Sequence, residues 1–384
     1  MKSKTIWLIN IGEPLPLHGN KPHRMGNWKY LLEKDGFNVN FITTNFEHQR
    51  KKWLTNNVKG YTILNSVIGY KKNISFKRLI NHLLISISFI FYLIKNKKSP
   101  DLIIVSYPTM LLSLVAVLYG FFKNIKVFVD VRDKWPDIFQ INNLVLPFLV
   151  FHKMIKYLVF KFSSFTLAVS PGYLYWAIKN SKKGSYIPLS KNFIKPTVRE
   201  LNFSKEINFI FSGSLGDTYD LDFLFNFSDN LSKKKILHKL YICGDGPKMS
   251  SLKAKSIKFP NIILLGWLNN LDLQKQLDKA HFGLMTYNNN SPQGWPNKLI
   301  EYMSNGLPII NTLNGESSDL IENSKLGFNV NKMSLNQISE LVINLVKSPN
   351  KYKSISKNNY SLFLSEFTEE KAYKKLKNII NKHV

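Results

Sequence analysis

The strongest constraint on the fold is an alternation of short apolar runs with stretches of helical spacing, which occurs twice along the chain. In the first half, strand-like runs such as Thr5–Asn10, Phe37–Thr43 and Asp101–Ser106 alternate with helical patterns. Strands that alternate with helices in this way predict a mostly parallel, doubly wound sheet. The sequence therefore predicts an α/β protein.

The alternation stops between about Gly184 and Glu206, in a polar stretch that contains Pro188 and Pro196. We interpret this stretch as an interdomain connection, because such linkers are polar and proline-bearing. The pattern restarts with the strand Ile207–Ser212. We expect a first domain over residues 1–190 and a second over residues 200–365. A basic C-terminal helix, about residues 366–384, is expected to pack back on the first domain.

The formal net charge of +28 predicts an anionic partner, for which nucleic acid, an anionic membrane face and phosphorylated substrates are the candidates. Cys243 is the only cysteine, so an intrachain disulfide is impossible and nothing indicates an oxidising compartment. The apolar run at the start is too short for a signal peptide, and the acidic Glu13 soon follows it. We therefore expect a cytoplasmic protein.

One apolar stretch, Leu79–Ile94, is interrupted by polar residues and falls short of the roughly 20 apolar residues that a membrane-spanning helix needs. Basic residues flank it on both sides, and these are Lys71, Lys72, Lys77, Arg78, Lys95, Lys97 and Lys98. An apolar helix with basic flanks suits the boundary of an anionic membrane. The sequence thus predicts a peripheral contact at the inner face of the plasma membrane.

The segment Ser291–Asn311 contains the most specific chemistry in the sequence. Pro296 suits the first turn of a helix, and Asn305-Gly306 suits its end. The free amides of that first turn, together with Lys298, would bind a phosphate, and Glu301 one turn later would accept hydrogen bonds from ribose hydroxyls. We interpret the segment as a nucleotide-diphosphate site. The alternative is an ordinary surface helix with a solvated lysine and glutamate.

Two glycine-bearing turns follow predicted strands of the second half, where ligands of such sheets bind. Gly213-Ser214-Leu215-Gly216 would bring backbone amides close to a phosphate, or it is a plain tight turn. Gly244-Asp245-Gly246-Pro247 either contacts the nucleotide or lies near it without contact.

In the first half, Asp130–Pro136 places acids and cations at the end of a buried strand. Burying these charges costs free energy unless they are paired or take part in binding or catalysis. Its residues Arg132 and Asp133 therefore have either a functional role or a part in a structural Arg–Asp network. The first strand-to-helix loop gathers further polar residues where a substrate could be bound, and these are Glu13, His18, Gly19, Asn20, His23 and Arg24. Its histidines are titratable candidates, with solvated loop histidines as the alternative.

These segments, in this order, resemble the glycosyltransferases of the GT-B fold, specifically the retaining family 4 enzymes that build O-antigen and capsule. The likeness covers nearly the whole chain, and Pro296–Ile310 is its most specific part. The resemblance implies two Rossmann-like, doubly wound domains that face each other across a cleft. It also implies transfer with retention of anomeric configuration, without a bound metal or a cofactor other than the donor substrate.

The resemblance also implies roles for individual residues. The candidate catalytic residues are Lys298, Asp133, Arg132 and His18. The candidate donor-binding residues are Gly213, Ser214, Leu215, Gly216, Gly244, Gly246, Gln293, Gly294, Trp295, Pro296, Asn297, Lys298 and Glu301. The candidate acceptor-binding residues are Gly19, Asn20, His23 and Arg24.

This sequence departs from the family pattern at two places. Gln293 occupies the position of the first acid in the family's pair of glutamates, so it can donate a hydrogen bond to a sugar but supplies no negative charge. Asp217-Thr218-Tyr219-Asp220 stands where many relatives have arginine and lysine. Neutralisation of the diphosphate then falls on Lys298, on backbone amides, or on Arg132 and Lys134 across the cleft.

We therefore expect transfer of a sugar from a nucleotide sugar, of the UDP-N-acetylhexosamine type, to a polyprenyl-diphosphate-linked glycan in surface polysaccharide synthesis. A sugar-nucleotide epimerase of the same two-lobed fold is the alternative enzyme. A non-enzymatic nucleic-acid-binding protein would also explain the charge. No nucleic-acid partner is expected, because the cations are dispersed and no recognised binding module is present.

Overall fold

The computed structural model describes residues 3–15, 23–48, 51–54, 58–66, 68–71, 75–135, 137, 146–179, 183–192, 206–288 and 291–383, with side chains from residue 150 onward in the helix that starts at Leu146. The chain divides into two compact units. The first contains residues 1–188 and 373–384, and the second contains residues 189–372.

The described part of the first unit holds a parallel sheet whose strands read as nearly continuous apolar runs, as expected of strands covered on both faces. Its strands are β1 (Thr5–Ile9), β2 (Asn38–Thr44), β5 (Tyr61–Leu64), β6 (Leu102–Tyr107), β7 (Lys126–Val131), β8 (Phe165–Ala168) and β9 (Gly184–Tyr186), and a separate antiparallel pair consists of β3 (Phe46–Glu47) and β4 (Lys52–Trp53). The order in the sheet is β5-β2-β1-β6-β7-β8-β9.

Five helices connect these strands within the described residues: α1 (Arg24–Lys34), α2 (Phe76–Lys95), α3 (Met110–Lys123), α4 (Leu146–Phe162) and α5 (Pro171–Ile178). Tyr92 of α2 and Tyr119 of α3 both pack on Trp7 of β1, with ring centroids 5.5 and 6.3 Å from it. Helices α2 and α3 therefore cover the same face of the sheet, and α3 packs in turn against α4.

The second unit repeats the architecture with a six-stranded parallel sheet in its described residues. Its strands are β10 (Ile207–Ser212), β11 (His238–Cys243), β12 (Ile262–Gly266), β13 (Phe282–Met285), β14 (Ile309–Asn311) and β15 (Gly327–Asn329), in the order β12-β11-β10-β13-β14-β15. Its helices are α6 (Leu221–Lys233), α7 (Met249–Ser256), α8 (Asn270–Lys279), α9 (Asn297–Ser304), α10 (Glu316–Asn323), α11 (Leu335–Val346) and α12 (Pro349–Leu362), which continues into a π-helical turn (Phe363–Phe367). Fully buried aromatic residues, among them Phe209, Phe225 and Phe282, fill its core.

The last helix, α13 (Glu369–His383), contacts α1 of the first unit. The Tyr373 hydroxyl donates a hydrogen bond to the Leu31 carbonyl at 3.0 Å, and Lys377 pairs with Asp35 at 2.8 Å. Hydrogen bonds from Lys377 and Tyr373 hold the pKa of Asp35 below its usual value.

Strand β9 lies inside the stretch that the sequence assigned to the interdomain connection. Its three residues, Gly184–Tyr186, form no apolar run, so no local pattern marked them as a strand. They pair in parallel with β8, between Thr166 and Ala168. This strand is therefore created by tertiary pairing and not by local propensity.

Candidate functional site

The candidate site of the second unit lies at the carboxyl ends of its central strands. Gly213 directly follows β10, Gly244 directly follows β11, and α9 begins after the loop that leaves β13. Because β10 pairs with both β11 and β13, these three segments meet at one edge of the sheet. This edge is where parallel α/β sheets bind their ligands.

The two glycine turns support each other through close backbone contact. A Cβ on Gly244 would lie 1.7 Å from the Gly213 carbonyl oxygen, and one on Gly246 would lie 2.6 Å from that of Leu215. The Gly213 amide donates to the Cys243 carbonyl and the Leu215 amide to the Asp245 carbonyl, both at 2.9 Å. The amides of Gly213 and Leu215, expected to face a phosphate, are therefore engaged by the neighbouring turn.

Lys298, in the first turn of α9, has its amino group inside an aromatic cage formed by Phe211, Tyr219 and Tyr287. The nitrogen lies 3.8 Å from the ring centroids of Phe211 and Tyr219 and 5.1 Å from that of Tyr287. The residue is 4% exposed, and its amino group finds no hydrogen-bond partner among the described residues. Cation–π contact is thus its main compensation for the loss of water.

Burial lowers the pKa of Lys298 well below its ordinary value, and the nearby charge of Glu301 opposes this shift only in part. Desolvation penalises the charged form of an amine, so the direction follows from the cage itself. A Cβ added to Gly213 would lie 3.2 Å from the Lys298 nitrogen, which places the amine directly beside the first glycine turn. The site therefore holds an unsatisfied amine next to a loop that can approach a ligand closely.

Glu301 follows one turn later on α9 and is fixed to the end of β10. Its Oε2 accepts a hydrogen bond from the Ser212 hydroxyl at 2.5 Å, and its Oε1 pairs with Lys191. The Ser212 amide in turn donates to the Tyr302 hydroxyl at 3.1 Å. The Lys191 side chain is 36% exposed, so Oε1 faces the more accessible side of the carboxylate.

The loop before α9 is held by α10. The Ser317 hydroxyl donates to the Gly294 carbonyl, and the Trp295 indole donates to the Glu316 carbonyl at 3.2 Å. Gln293 is half-buried and Asn297 is exposed, while Pro296 occupies the N-cap position of α9. The loop that carries the predicted donor-binding residues is therefore hydrogen-bonded to α10 at two points.

The sequence did not single out several residues that build this site. Lys191 and Tyr287 were not predicted, Phe211 and Ser212 were noted only as part of the segment Phe211–Gly216 that resembles the family's diphosphate loop, and Tyr219 was noted only as a departure from the family pattern. An available signal was the pair of aromatic residues, Phe211 and Tyr219, on either side of the first glycine turn.

In the first unit, the predicted basic residues form ion pairs with buried acids. Arg24 makes two hydrogen bonds to Asp130, at 3.1 and 3.0 Å, and donates to the Pro188 carbonyl at 2.9 Å. Arg132 pairs with Glu13, whose carboxylate also accepts the amides of Met25 and Gly26 at the start of α1. Arg24 and Arg132 thus each pair with an acid, and the functional role predicted for Arg132 and Asp133 stays a prediction.

Two further candidates of the first unit have shifted pKa values. Burial raises the pKa of Asp133, against the opposing effects of the Lys134 amide and nearby cations. Burial lowers the pKa of His23, and the neighbouring Glu13 opposes that shift. His18, Gly19 and Asn20 lie outside the described residues, so their predicted roles stay predictions.

Residues 206–348 match the model of a family described as glycosyl transferases group 1. A search of the curated proteins finds no match to this sequence. Among solved structures, sucrose-phosphate synthase from Thermosynechococcus elongatus is similar with a TM-score of 0.72 at 15% identity, covering 99% of this chain and 98% of that one.

Two other solved structures have the same fold over their whole length. The lipopolysaccharide outer core galactosyltransferase WaaB gives a TM-score of 0.64 at 18% identity, with coverage of 99% of this chain and 100% of that one. Anabaena HepE, in complex with UDP, gives 0.68 at 12% identity with the same coverage. The chain therefore has the GT-B fold with two Rossmann-like units, and its residues 206–348 match the glycosyl transferases group 1 model.

Proposed function

We propose that this protein transfers a sugar from a nucleoside-diphosphate sugar to a glycan acceptor. The observation that carries this proposal is the amino group of Lys298, which is buried in the aromatic cage beside the Gly213 turn and makes no hydrogen bond to the described residues. A buried amine without a partner is costly. An anionic ligand that reached the amine would remove this cost.

A diphosphate fits the surroundings of Lys298. The first turn of α9 presents amides at a helix N-terminus, which attracts anions. The amides of Ser214 and Gly216 complete the donor set, since those of Gly213 and Leu215 bind the neighbouring turn. During transfer, these donors and Lys298 would stabilise the charge that develops on the departing diphosphate.

Glu301 is proposed to bind the ribose of the donor. Its Oε2 stays on Ser212, and a ribose hydroxyl would replace the Lys191 ammonium at Oε1. Both oxygens of the Glu301 carboxylate therefore have a partner whether or not the ribose is bound. Gln293, in the loop before α9, would hydrogen-bond the donor sugar without adding negative charge.

The finer proposals rest on the resemblance and on the solved relatives. We propose a UDP-N-acetylhexosamine donor, a polyprenyl-diphosphate-linked acceptor, and retention of configuration without a metal or a cofactor, in surface polysaccharide synthesis of the O-antigen or capsule type. The fold is shared with HepE bound to UDP and with a lipopolysaccharide galactosyltransferase. The first unit would supply Asp133, Arg132 and His18 to catalysis, and Gly19, Asn20, His23 and Arg24 to the acceptor.

The direct test is binding of nucleotides to the full chain by calorimetry and thermal shift, followed by a panel of sugar nucleotides assayed for hydrolysis and transfer. We expect UDP to raise the melting temperature and an oligonucleotide of equal charge to leave it unchanged. Lys298→Ala should abolish the UDP effect, whereas Lys279→Ala, at the far end of α8, should retain it. Stabilisation by the oligonucleotide alone would contradict the proposal, and conversion of a sugar nucleotide to its epimer would identify an epimerase instead.

A further inference from the structure

Four basic side chains come together in the first unit, beyond the carboxyl ends of β2 and β5. His48 and Lys51 lie in the turn between β3 and β4, which follow β2 along the chain. Arg78 and His82 lie in the first turns of α2, which follows β5. Ligands of parallel α/β sheets bind at this edge. We name these four residues the basic cluster.

Tyr70, in the segment between β5 and α2, connects the two halves of the basic cluster. Its hydroxyl lies 2.5 Å from Nδ1 of His48, and the Lys51 amino group lies 3.3 Å from the same nitrogen. The centroid of the Tyr70 ring is 4.9 Å from the Lys51 nitrogen and 5.9 Å from the guanidinium carbon of Arg78. Nε of Arg78 in turn lies 3.5 Å from Nε2 of His82. The cluster is therefore one connected group around a single aromatic ring.

The segments that carry the basic cluster are fixed to one another. A Cβ on Gly69 would lie 2.8 Å from Cε2 of Phe46, so the segment before α2 packs directly on β3. Asn81 of α2 donates to the Ser66 hydroxyl at 2.6 Å. The backbone of Lys51 is left-handed, with a φ of 56°. This conformation is uncommon outside glycine, and strained positions of this kind concentrate at ligand sites.

The basic cluster concentrates positive charge among half-buried side chains. Burial and the charges of Lys51 and Arg78 lower the pKa of His48 to about 4. Burial and the charges of Arg78 and His48 lower the pKa of His82 to about 3. Burial and the charge of Arg78 lower the pKa of Lys51 to about 8. At neutral pH the cluster therefore contains two cations and two neutral imidazoles, because arginine keeps its proton and Lys51 is mostly charged.

A phosphate group fits this set of side chains. Its negative charge would offset the repulsion between two neighbouring cations. Guanidinium and ammonium groups donate charge-assisted hydrogen bonds to phosphate oxygens, and a neutral imidazole or a tyrosine hydroxyl can donate as well. Because the four side chains surround one ring, they suit a single anionic group better than an extended polyanion.

The basic cluster also lies near a predicted catalytic residue. Burial raises the pKa of Asp133, and the charge of Arg78 is among the effects that oppose this shift. Arg78 is therefore close enough to act on this carboxylate. Arg24, by contrast, which the resemblance assigns to the acceptor, is paired with the buried Asp130. The basic cluster thus offers cations to a ligand beside Asp133 without using Arg24.

We propose that the basic cluster, together with Tyr70, is a phosphate-binding site of the first unit, in addition to the diphosphate site proposed at Lys298. The phosphate belongs either to the acceptor or to free phosphate in solution, and the chemistry of recognition is the same for both. Its assignment to the acceptor rests on the proposed transferase function, whereas the binding of phosphate does not.

The test is calorimetric titration of the full chain with inorganic phosphate. All proteins carry Lys298→Ala, because that residue is itself proposed to bind phosphates. The test variant adds Lys51→Gln and Arg78→Gln. Its matched control adds Lys52→Gln and Lys77→Gln, which are exposed neighbours on the same elements and change the net charge equally. We expect unchanged affinity in the control and at least about tenfold weaker binding in the test variant, since hydrogen bonds from charged groups are lost.

Two further measurements separate a binding role of the basic cluster from a structural one. Lys51→Arg with Arg78→Lys keeps both charges, so it should bind phosphate more tightly than the test variant. In a chain that retains Lys298, the glutamine pair of the test variant should leave UDP binding unchanged. This result would show that the fold is intact, and it separates failure of the phosphate site from failure of the proposed donor site.

Geranyl phosphate distinguishes the two sources of the phosphate. If it binds more tightly than inorganic phosphate, and the test variant loses this binding, the site receives the phosphate of a lipid-linked acceptor. If the two affinities are equal, the site receives free phosphate.

Two results would overturn the proposal. The first is equal affinity for phosphate in the test variant and its matched control. The second is the absence of phosphate binding by the folded Lys298→Ala protein.

Discussion

Buried ionisable residues have different partners in the two units. In the first, Arg24 and Asp130 are 5% and 0% exposed and form two hydrogen bonds with each other. In the second, the amine of Lys298 is equally buried but has only aromatic rings around it within the described residues. The buried charges of the first pair satisfy each other, whereas the Lys298 amine has no hydrogen-bond partner among the described residues, and this difference supports the ligand site proposed in the second unit.

The comparison predicts opposite effects of apolar substitution. Removing one member of a buried pair leaves the other charge unpaired, which is strongly destabilising. Removing a lone buried amine takes away an unsatisfied group, which is neutral or stabilising. Unfolding measurements can therefore distinguish a buried charge that has a charged partner from a buried amine that has no hydrogen-bond partner.

The largest effect is expected for Arg24→Met. Asp130 would remain buried without its partner, and the free energy of unfolding should fall by about 3–5 kcal/mol. Denaturant unfolding measures this loss. The control is Arg24→Met with Asp130→Leu, in which no buried charge remains, so the loss should be clearly smaller. A single-variant loss below about 1 kcal/mol would show that the pair is not what stabilises this part of the first unit.

The second prediction concerns Lys298→Met, which keeps the length of the side chain and suits the aromatic cage. Sugar transfer should fall by about two orders of magnitude or more, because a charge-stabilising donor is lost. The free energy of unfolding should stay equal or rise by about 1 kcal/mol. Lys253→Met, on an exposed lysine of the same unit, should change neither quantity. A strongly destabilised Lys298→Met protein would remove the contrast between the two units.

The features of the two units that depend on neighbouring residues could be predicted from the sequence. The repeated strand–helix alternation predicted both sheets, and Pro296, Lys298 and Glu301 were placed correctly relative to α9 because their spacing is a property of one helix. The aromatic cage could not be predicted, because Phe211, Tyr219 and Tyr287 come from separate segments. They meet only because β10 pairs with β13.

The ion pairs of the first unit could not be predicted for the same reason. Arg24 and Asp130 are 106 residues apart, and no local pattern indicates which acid an arginine will meet. The sequence therefore left a functional and a structural role open for the charges of Asp130–Pro136. The exposure of Phe121 and Phe122 at the end of α3 was not predicted either, since it depends on how the helices pack on the sheet.

The third prediction tests the ribose role of Glu301. Glu301→Gln keeps the shape of the side chain but removes the charge that strengthens its hydrogen bonds. The dissociation constant of UDP should rise about tenfold, since a hydrogen bond to a charged group contributes about 1.5 kcal/mol. The wild type should discriminate against 2′,3′-dideoxy-UDP, and the variant should discriminate less. Equal discrimination by both proteins would reject contact between Glu301 and the ribose.

The smallest effect is expected in the pH dependence of UDP binding, and it follows from the lowered pKa of Lys298. Because the folded-state pKa lies below the unfolded value of about 10.4, the unfolded chain binds more protons between the two values, and the stability of the ligand-free protein should rise with pH in that window. A bound diphosphate would raise the pKa of Lys298 again.

Binding of UDP above the lowered pKa should therefore take up a proton, and the dissociation constant should increase by less than tenfold per pH unit. Calorimetry in two buffers with different ionisation enthalpies measures the uptake directly. Other groups titrate in the same range, such as Lys51, whose pKa is lowered to about 8 by burial and by Arg78. The Lys298→Met variant separates the two residues, because it should lose the proton uptake on UDP binding although Lys51 is still present. If the wild type and Lys298→Met take up equal numbers of protons, the caged amine does not bind the diphosphate.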